Sequence, residues 1–325
     1  MKKILVSGAS GIVGYGILRS LKRAGGQFTL IGTSIYSDSA AQGFCDIFEP
    51  APPTGDAAYL GWLIATIRKH SVDLVIPGIE LDMFEWAEHA PEIQAAGAAA
   101  LLNDLALIRL CKDKWAFYND LRAAGLPCAI ETTLDNEFSA LKARFGLPFL
   151  LKPRQGFGSK GLVIVDSEET FLAHQKQIGP TLMAQPIVGS EEDEFTTAVF
   201  GDGQGGCCAN MTLKRKLSKD GFTEKAEVAA TGEFAPAIKA LCARFRPVGP
   251  TNFQFRKGPE GIKLLEINPR ISSSTSIRTA FGYNESAMAA DFLLDHRLPV
   301  QPEIRRGRAA RYTDERIFYE DSVHL

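Results

Sequence analysis

Short apolar runs alternate with helix-period segments over the first hundred residues of the chain. The run Ile4-Leu5-Val6 ends in glycine and serine, and residues 12–21 then repeat apolar positions with a helical period. Strand patterns return at residues 30–32 and 73–77, with a second helical pattern over residues 57–70 between them. This strand–helix order with short connections predicts a parallel sheet wound on both faces.

The rest of the chain is predicted to contain one helix-rich stretch and then mainly strands. The helix-rich stretch covers residues 104–124 and stops at Gly125, with Pro127 just beyond, which is typical of a helix end. Strand patterns follow at residues 149–153, 162–165 and 195–200 and on both sides of residues 258–261. We therefore expect an α/β chain in three parts, residues 1–105, 106–185 and 186–325.

Composition excludes several classes of function. The 325 residues include 36 Lys and Arg against 38 Asp and Glu, a net charge of −2, which gives no electrostatic basis for binding nucleic acid or an anionic membrane. The six cysteines lack metal-binding spacing, and reduced thiols in the cytoplasm are the simplest account of them. No stretch approaches the ~20 apolar residues of a membrane span. We expect a cytoplasmic protein.

A glycine-rich loop, Gly8–Gly14, lies between the first predicted strand and helix. Glycines at this position let backbone N–H groups approach a phosphate at the helix N-terminus. Tight packing of the helix against the sheet explains the same glycines equally well. Because no convincing acidic ribose anchor follows about 20 residues later, dinucleotide binding is open but unsupported.

Lys152 ends a predicted strand and is followed by the glycine-containing loop 155–161. A lysine there is costly to bury unless its ammonium meets an anion, and the loop could fold over a polyphosphate and donate backbone N–H groups. The alternative is an exposed hairpin turn beside a solvated lysine. The loop does not match the GxxxxGK[ST] phosphate loop, which disfavours an ordinary P-loop fold.

Two strand-like runs flank a turn at residues 257–261. Because side chains alternate along a strand, Asn252 and Gln254 share one face, as do Glu266 and Asn268. A hairpin centred on the turn places Gln254 opposite Glu266 and Asn252 opposite Asn268. The other face is then filled by Phe253, Phe255, Leu265 and Ile267.

The polar face of this hairpin predicts a metal site. It gathers a carboxylate and amide oxygens, the hard ligands that magnesium prefers alongside phosphate oxygens. A hairpin with one solvated polar face is the alternative. Arg270 and the hydroxyls of Ser272 and Ser273 follow the second strand directly, where they could hold an acyl phosphate or a carboxylate.

These motifs together resemble those of the ATP-grasp superfamily. Glu266-Ile267-Asn268-Pro269-Arg270, with Asn252-Phe253-Gln254 upstream, is similar to the signature of the carbamoyl phosphate synthase large-subunit group, and especially of its single-module relatives. The resemblance extends from the first strand to about Asp295, with the motifs in the expected order. It implies an ATP-grasp fold preceded by a Rossmann-like pre-grasp domain. A complete carbamoyl phosphate synthase carries two such modules, so that full reaction is not expected.

The resemblance also implies residue roles. Lys114 and Lys152 would contact ATP phosphates under the loop Gly156–Gly161, the backbone near Gln185 would meet adenine, and Glu194 would hold the ribose. The implied ATP-binding set is Lys114, Lys152, Gly156, Gly158, Ser159, Gly161, Gln185, Ile187 and Glu194; the catalytic set is Lys152 and Arg270; the magnesium (or manganese) set is Gln254, Glu266 and Asn268.

Two segments depart from the family pattern or leave it open. Residues 189–193 are about two residues longer than expected, so that Glu191 or Glu192 could replace Glu194. Basic residues at 214–216 fall where the family often places charges near substrate, and the sequence does not say which of them point inward.

The expected function is an ATP- and magnesium-dependent ligase. It would activate a small carboxylate, such as an amino acid, as an acyl phosphate that an amine (or thiol) displaces. Glu80 and Asp82, at the carboxyl edge of the parallel sheet, are candidate contacts for a cationic substrate group, and Ser272 and Ser273 for substrate. The partners are small molecules, with a homodimer as an option. Two rivals stay open: a nicotinamide-dependent oxidoreductase that uses the N-terminal loop, and a non-catalytic ATP-binding module.

Overall fold

The computed structural model describes residues 1–156 and 161–318 of the chain. Its strands are β1 (Lys2–Val6), β2 (Phe28–Ser34), β3 (Ile47–Pro50), β4 (Leu74–Ile76), β5 (Ala99–Ala100), β6 (Phe149–Pro153), β7 (Val163–Val165), β8 (Leu182–Pro186), β9 (Glu194–Asp202), β10 (Cys207–Leu217), β11 (Thr223–Val228), β12 (Val248–Gly258), β13 (Gly261–Asn268) and β14 (Arg308–Ala310). Its α-helices are α1 (Ile12–Lys22), α2 (Tyr59–His70), α3 (Glu80–Glu88), α4 (Ala90–Ala95), α5 (Leu105–Lys112), α6 (Lys114–Ala123), α7 (Phe138–Phe145), α8 (Glu168–His174), α9 (Ala235–Phe245), α10 (Thr275–Ala280) and α11 (Glu285–Asp295). Within those described ranges, no helix combines the length and apolarity needed to cross a membrane.

The first five strands form a parallel sheet in the order β3-β2-β1-β4-β5, which confirms the predicted architecture. The central strand is buried on both faces: Ile4 and Val6 pack into one apolar cluster, and Leu5 packs into another on the opposite face. A strand buried on both sides reads as a continuous apolar run rather than an alternating one. This burial explains why the apolar run Ile4-Leu5-Val6 correctly predicts a strand.

The glycines of the N-terminal loop serve backbone packing. A Cβ on Gly14 would lie 2.3 Å from the carbonyl oxygen of Gly8, and one on Gly78 would lie 2.1 Å from that of Ser7. Gly8 itself has φ of +56° and faces Ile79 closely. The loop after β1, helix α1 and the loop after β4 therefore meet backbone to backbone. This contact accounts for the glycines without any ligand and weakens the case for a dinucleotide.

The predicted helix-rich stretch 104–124 consists of two helices. Helix α5 ends at Lys112, and Asp113 takes an extended conformation between it and α6. The Asp113 carboxylate accepts hydrogen bonds from the N–H groups of Trp115 and Ala116, so it caps α6. A strong N-cap inside an apolar-periodic stretch starts a new helix there.

The remaining strands form two antiparallel sheets. The smaller has the order β7-β6-β8, and the larger has the order β13-β12-β9-β10-β11-β14. The β12–β13 hairpin has the predicted register, with Gln254 opposite Glu266 and Asn252 opposite Asn268. A β-bulge follows, because Phe255 pairs with Leu264 and leaves Leu265 unpaired.

That bulge corrects one predicted side-chain position. Leu264, rather than Leu265, joins Phe253 and Phe255 in the fully buried core, while Leu265 is only partly buried at its margin. The extra residue leaves the backbone of Leu265 outside the strand ladder. Its carbonyl oxygen is consequently available to side chains of the neighbouring elements.

One face of the large sheet changes character along its length. At one end, Phe200 and Met211 pack with residues of β1, α1, α10 and α11 in a single apolar core. Toward the other end the same face carries Gln254 and Glu266, which pack against no such cover. Because the core is continuous across the parallel and antiparallel sheets, it fixes the first part of the chain against the polar end of this face.

Candidate functional site

The structure brings the three predicted metal ligands together at the polar end of the β12–β13 hairpin. Asn268 Nδ2 donates to Glu266 Oε1 at 3.0 Å, and Gln254 lies directly across the strand pair. Arg215 Nη2 donates to Gln254 Oε1 at 2.7 Å. The result is a carboxylate between two amides, with a guanidinium on one side.

Two lysines keep the central carboxylate charged. Burial acts to raise the pKa of Glu266, but the charges of Lys152 and Lys114 outweigh it, with help from the Asn268 hydrogen bond and Arg215. The pKa of Glu266 therefore lies below its usual value of 4.5. Burial is also the main reason why the pKa of Lys114 is lowered, although the Glu266 charge acts to raise it.

Lys152 is positioned by the bulge of the hairpin. It lies near the end of β6, and its Nζ donates to the carbonyl oxygen of Leu265 at 3.2 Å and contacts Tyr118 Oη at 3.1 Å. The hydroxyl of Tyr118 donates to the same carbonyl oxygen. The carbonyl oxygen of Leu265 thus connects the small sheet and α6 to the strand edge that carries the predicted metal ligands.

Lys114 is placed by the helix break that precedes it. Its backbone N–H donates to the carbonyl oxygen of Arg154 at 2.8 Å, and Arg154 in turn pairs with Asp113 at 2.6 Å. Its Nζ donates to the carbonyl oxygen of Gly156 at 2.5 Å, where the glycine-containing loop begins. Lys114 therefore joins the start of α6 to that loop.

The predicted phosphate loop is described only at its two ends. Gly156 and Gly161 have φ of +110° and +76°, values that favour glycine. Gly158 and Ser159 lie outside the described residues, and their predicted contacts with ATP stay predictions.

A cleft of about 480 Å³ opens beside these groups. Its lining comes from α3, from α5 and the start of α6, from the loop at 155–156 and from the end of β13. Five of the predicted site residues line it: Glu80, Lys114, Gly156, Glu266 and Asn268. The first part of the chain therefore forms one wall of the cleft and the hairpin forms another.

Arg270 contacts Glu80, which lines this cleft. The Arg270 Nη2 atom lies 3.2 Å from Glu80 Oε1, and each side chain is 16% exposed. Glu80 is the first residue of α3, and Arg270 lies two residues beyond the end of β13. The ion pair therefore connects the N-terminal part of the chain to the predicted metal edge.

This end of the sheet has more hydrogen-bond donors than acceptors. In residues 1–156 and 161–318, every buried side-chain nitrogen or oxygen without a hydrogen-bond partner is a donor on or beside the polar face: Asn252 Nδ2, Arg256 Nε, Arg270 Nε and Arg278 Nε. Buried donors without acceptors are costly and call for an explanation. Arg256 and Arg270 are partly exposed, so a ligand rich in acceptor oxygens, such as a polyphosphate, could satisfy their donors, whereas Asn252 and Arg278 are fully buried.

The donor set also bears on which metal would fit. Among the described residues, no group of three or more His, Cys, Asp or Glu side chains lies together. An all-protein carboxylate cage for calcium or a histidine–thiolate site for zinc has no candidate there. One carboxylate with flanking amides instead suits magnesium, which keeps waters and shares phosphate oxygens of its substrate.

Comparison with known proteins shows which family the chain is similar to. A family described as ATP-grasp in the biosynthetic pathway with Ter operon matches residues 180–315. The carbamoyl phosphate synthase arginine-specific large chain of Bacillus subtilis (strain 168) is 23% identical over 303 residues, covering 86% of this chain and 29% of that protein. N5-carboxyaminoimidazole synthetase from Staphylococcus aureus, solved with ADP, superposes with a TM-score of 0.73 at 16% identity, covering 93% of this chain and 80% of that one. The chain has the ATP-grasp fold, and its sequence is similar to that of ATP-grasp proteins.

A second solved relative has the same fold with a nucleotide and a metal. The biotin carboxylase domain of Hydrogenobacter thermophilus 2-oxoglutarate carboxylase, described as a dimer with MgADP, ADP and bicarbonate, matches with a TM-score of 0.71 at 18% identity. It covers 94% of this chain and 73% of that domain. These structural likenesses establish the ATP-grasp fold. By contrast, the chain spans less than a third of the length of the Bacillus synthase that it matches.

The predicted adenine and ribose contacts lie away from the lining of the cleft. Gln185 is buried near the end of β8, and its side-chain amide donates to Thr132 Oγ1 at 2.7 Å. Ile187, just past the strand, is exposed. Both positions stay predictions.

Glu194 is already engaged by two arginines. One oxygen accepts from Arg215 at 2.9 Å and the other from Arg256 at 2.7 Å, and the side chain is 5% exposed. To bind a ribose it would have to exchange at least one of these partners. Glu191 and Glu192, the sequence alternatives, lie in an exposed 3₁₀ turn just before β9.

Three candidate substrate contacts are placed differently from Glu80. Asp82 is 3% exposed and accepts from Thr54 Oγ1 and Tyr59 Oη at 2.6 and 2.7 Å, so the structure does not support it as a substrate contact. Ser272 is buried and accepts from Arg278 Nη1 at 2.8 Å. Ser273 is partly buried, and its carbonyl oxygen accepts from Arg311.

Residues that the sequence did not single out support the site from behind. Arg278 is fully buried and donates to Asn252 Oδ1, Thr196 Oγ1 and Ser272 Oγ at 2.8 to 3.0 Å. Asn103 donates to the carbonyl oxygen of Pro269 at 2.9 Å and thereby holds the turn after β13.

The position of Arg215 also becomes clear in the structure. Strand alternation sends Arg215 to the polar face, while Lys214 pairs with Asp193 at the exposed surface. Of the basic run 214–216, the middle residue thus reaches the predicted metal edge. The alternation of side chains along β10 could be read from the sequence, but which side of the strand faces the site could not.

Proposed function

We propose that this ATP-grasp protein is an ATP- and magnesium-dependent ligase that activates a small carboxylate as an acyl phosphate for attack by an amine. The Bacillus synthase and the Staphylococcus synthetase share its superfamily, which supports this class of reaction. A substrate carboxylate oxygen would form a bond to the γ-phosphorus while the bond to the ADP oxygen breaks. An amine would then form the new bond to the acyl carbon, and inorganic phosphate would leave.

The observation that carries the proposal is the arrangement around Glu266. A carboxylate held charged by two lysines, flanked by Gln254 and Asn268, is suited to one divalent ion shared with phosphates. Magnesium, when bound there, would neutralise phosphate charge and make the γ-phosphorus easier to attack.

The lysines have separate roles in the proposal. Lys152, fixed by the Leu265 carbonyl and Tyr118, would hold the transferred phosphoryl group. Lys114 would hold the phosphates from the loop side, because its Nζ already reaches the Gly156 carbonyl. Both act by positioning and by electrostatic stabilisation, which supply most of the catalysis in phosphoryl transfer.

Arg270 would face the acyl phosphate or its carboxylate precursor. Its guanidinium is largely buried with Nε unpartnered, so an oxyanion would complete its hydrogen bonding. The cleft wall formed by α3 would help to exclude water, which matters because acyl phosphates hydrolyse.

A coupled ADP-release assay tests the proposal. Purified protein is screened against small carboxylates and amines with ATP, with and without magnesium, and ATP binding is measured separately by calorimetry. ADP release that needs a carboxylate, an amine and magnesium supports the ligase. Tight ATP binding without ADP release under any condition would instead favour a non-catalytic ATP-binding module.

The homodimer stays a prediction. The Hydrogenobacter domain is described as a dimer, which supports testing the same state here. Sedimentation velocity over a range of protein concentrations distinguishes a dimer from a monomer.

A further inference from the structure

The Glu80–Arg270 ion pair is the one direct charge contact between α3 and the turn that follows β13 in the described part of the chain. It is loosely made: the 3.2 Å contact joins Arg270 Nη2 and Glu80 Oε1 without the geometry of a hydrogen bond. Both side chains are largely withdrawn from water. A partly buried pair of this kind recovers its desolvation cost only when its remaining donors and acceptors are also satisfied.

Both members of the pair have unused hydrogen-bonding capacity. Arg270 Nη1 donates only to the carbonyl oxygen of the next residue, Ile271, at 3.0 Å, and Nε is buried with no partner. Glu80 accepts no hydrogen bond from any residue in the described ranges, although a carboxylate can accept about four. An unsatisfied donor of Arg270 therefore lies next to unsatisfied acceptor oxygens of Glu80.

Glu80, one member of the pair, also lies where a substrate would have to sit. Glu80 lines the cleft together with Lys114 and Glu266. Its charge acts on both Lys114 and Cys111, and the charge of Glu266 acts on the same two residues. Glu80 is thus close to the groups proposed to bind the phosphates and the metal. By contrast, Asp82 on the same helix is used internally by Thr54 and Tyr59.

We propose that the carboxylate substrate is an amino acid, whose two charges replace this ion pair. The ammonium group would bind Glu80, and the carboxylate would bind Arg270. The inference rests on the proposed ligase function and names its substrate class. After activation the acyl phosphate oxygens keep the Arg270 contact while the ammonium remains on Glu80, so that the two contacts orient the acyl carbon throughout.

The pair could instead act only as a brace between the two parts of the chain. A brace makes no distinction among substrates, because its loss disturbs the site for every carboxylate equally. A specificity contact acts on the ammonium alone. The two roles can therefore be distinguished by the ratio of the rate with an amino acid to the rate with the same acid lacking its amino group. Glu80→Gln changes this ratio if Glu80 is a specificity contact and leaves it unchanged if the pair is a brace, whatever the effect on stability.

The test compares each standard amino acid with the carboxylic acid that lacks its amino group, for example alanine with propionate. ADP release is measured for wild-type protein, for Glu80→Gln and for Glu88→Gln. Glu88 is a suitable control because it lies at the opposite end of the same helix and also lines the cleft, but its carboxylate pairs with exposed Arg109. MgATP affinity is measured for each protein by calorimetry, independently of turnover.

We expect wild-type kcat/KM for an accepted amino acid to exceed that of its deaminated analogue by about 100-fold, since a site built for a polar group rejects analogues that lack it. Glu80→Gln should lower kcat/KM for the amino acid by a similar factor and change the analogue by less than about 3-fold, because the analogue never used Glu80. Glu88→Gln should preserve the discrimination.

Three outcomes overturn the proposal. The first is a wild-type preference for the deaminated acid, and the second is an equal loss for both substrates in Glu80→Gln. The third is MgATP binding with ADP release from neither series. Failure to bind MgATP at all would overturn the proposed ligase function itself, which separates the two conclusions.

Discussion

Gln254 and Glu266 lie directly opposite each other on β12 and β13, but they are held in different ways. The amide oxygen of Gln254 accepts from Arg215 at 2.7 Å, whereas Glu266 accepts from Asn268 and lies in the field of two lysines. A divalent ion at this edge would compete with a guanidinium for Gln254 and with ammonium groups for Glu266. This edge is therefore arranged to attract anionic groups. A divalent cation can enter it together with the phosphates that it binds.

Glu266→Gln tests the metal assignment. The substitution preserves shape and removes the only charge among the three predicted ligands, so we expect magnesium-dependent ADP release to fall by about a thousand-fold, since a catalytic metal contributes several kcal/mol. Glu260→Gln is the matched control, because Glu260 is exposed in the turn of the same hairpin. Wild-type rates in Glu266→Gln would refute the assignment.

The same residue predicts a pH dependence of stability. The pKa of Glu266 is lowered in the folded state, so the unfolded state binds the proton more readily as pH falls. The stability that Glu266 contributes is present above pH 4.5 and is lost as pH falls through the lower folded value. The difference in free energy of unfolding between wild type and Glu266→Gln should accordingly shrink below pH 4.5, measured by urea denaturation without nucleotide. A constant difference would contradict it.

Lys114→Met should separate stability from ATP binding. Burial is the main cause of the lowered pKa of Lys114, so its charge is less favourable in the fold than in water. We expect the variant to melt at the same temperature as wild type or higher without ligand, and to lose most of the rise in Tm that ATP and magnesium cause. Thermal scanning with and without MgATP measures both effects.

Lys176→Met provides the control for Lys114→Met, because Lys176 is exposed after α8. It should keep the full ATP-dependent rise in Tm. If Lys114→Met also kept it, Lys114 would have no part in binding phosphates.

The sequence predicts those features of the site that depend on local alternation. The register of Gln254 with Glu266 follows from the turn and the two-residue period, and the structure confirms it. The bulge at Leu265 could not be predicted, because one unpaired residue leaves the pattern on each side intact. Yet that bulge exposes the carbonyl oxygen that holds Lys152.

Features that depend on distant residues could not be read from the chain. Asp82 looks like an exposed acid beside Glu80, and only the packing of Tyr59 and Thr54 shows that it is buried. No sequence motif marks Arg278, because its role depends on contacts with Asn252 and with other residues that are distant in sequence. Parallel strands that are buried on both faces, in contrast, can be recognised from their continuous apolar composition alone. The first sheet was predicted correctly for this reason.

Cys207 is expected to be the most reactive thiol under neutral conditions. Contact with the Cys242 thiol and the amide of Asn210 stabilises its thiolate and lowers the pKa of Cys207 to about 7, whereas burial raises that of Cys128 to about 11. Alkylation by iodoacetamide should therefore rise with pH with a midpoint near 7, followed by peptide mass spectrometry. Cys242→Ala should move the midpoint upward. A wild-type midpoint near the ordinary value of 9.0 would contradict the assignment.

Arg278→Met should cost more stability than any substitution of an exposed arginine. Arg278 and Glu285 are both fully buried and lie 3.2 Å apart, so removing one partner leaves a buried charge without compensation, at a cost of about 3–5 kcal/mol. Arg297→Met is the control. Arg297 also pairs with acids of α11 but is exposed, so its loss should cost about 1 kcal/mol or less.

The charge of Glu285 decides whether this account of Arg278 is right. Burial raises the pKa of Glu285 even though Arg278 acts to lower it, so its charged form is disfavoured in the fold. Without Arg278 that pKa rises further, and the free energy of unfolding of Arg278→Met should fall as pH rises from 4.5 toward neutrality. Arg278→Met combined with Glu285→Gln should recover part of the loss at neutral pH and flatten the pH dependence. If the double variant is no more stable than the single one, the cost lies in the hydrogen bonds to Asn252 and Ser272 rather than in the unpaired carboxylate.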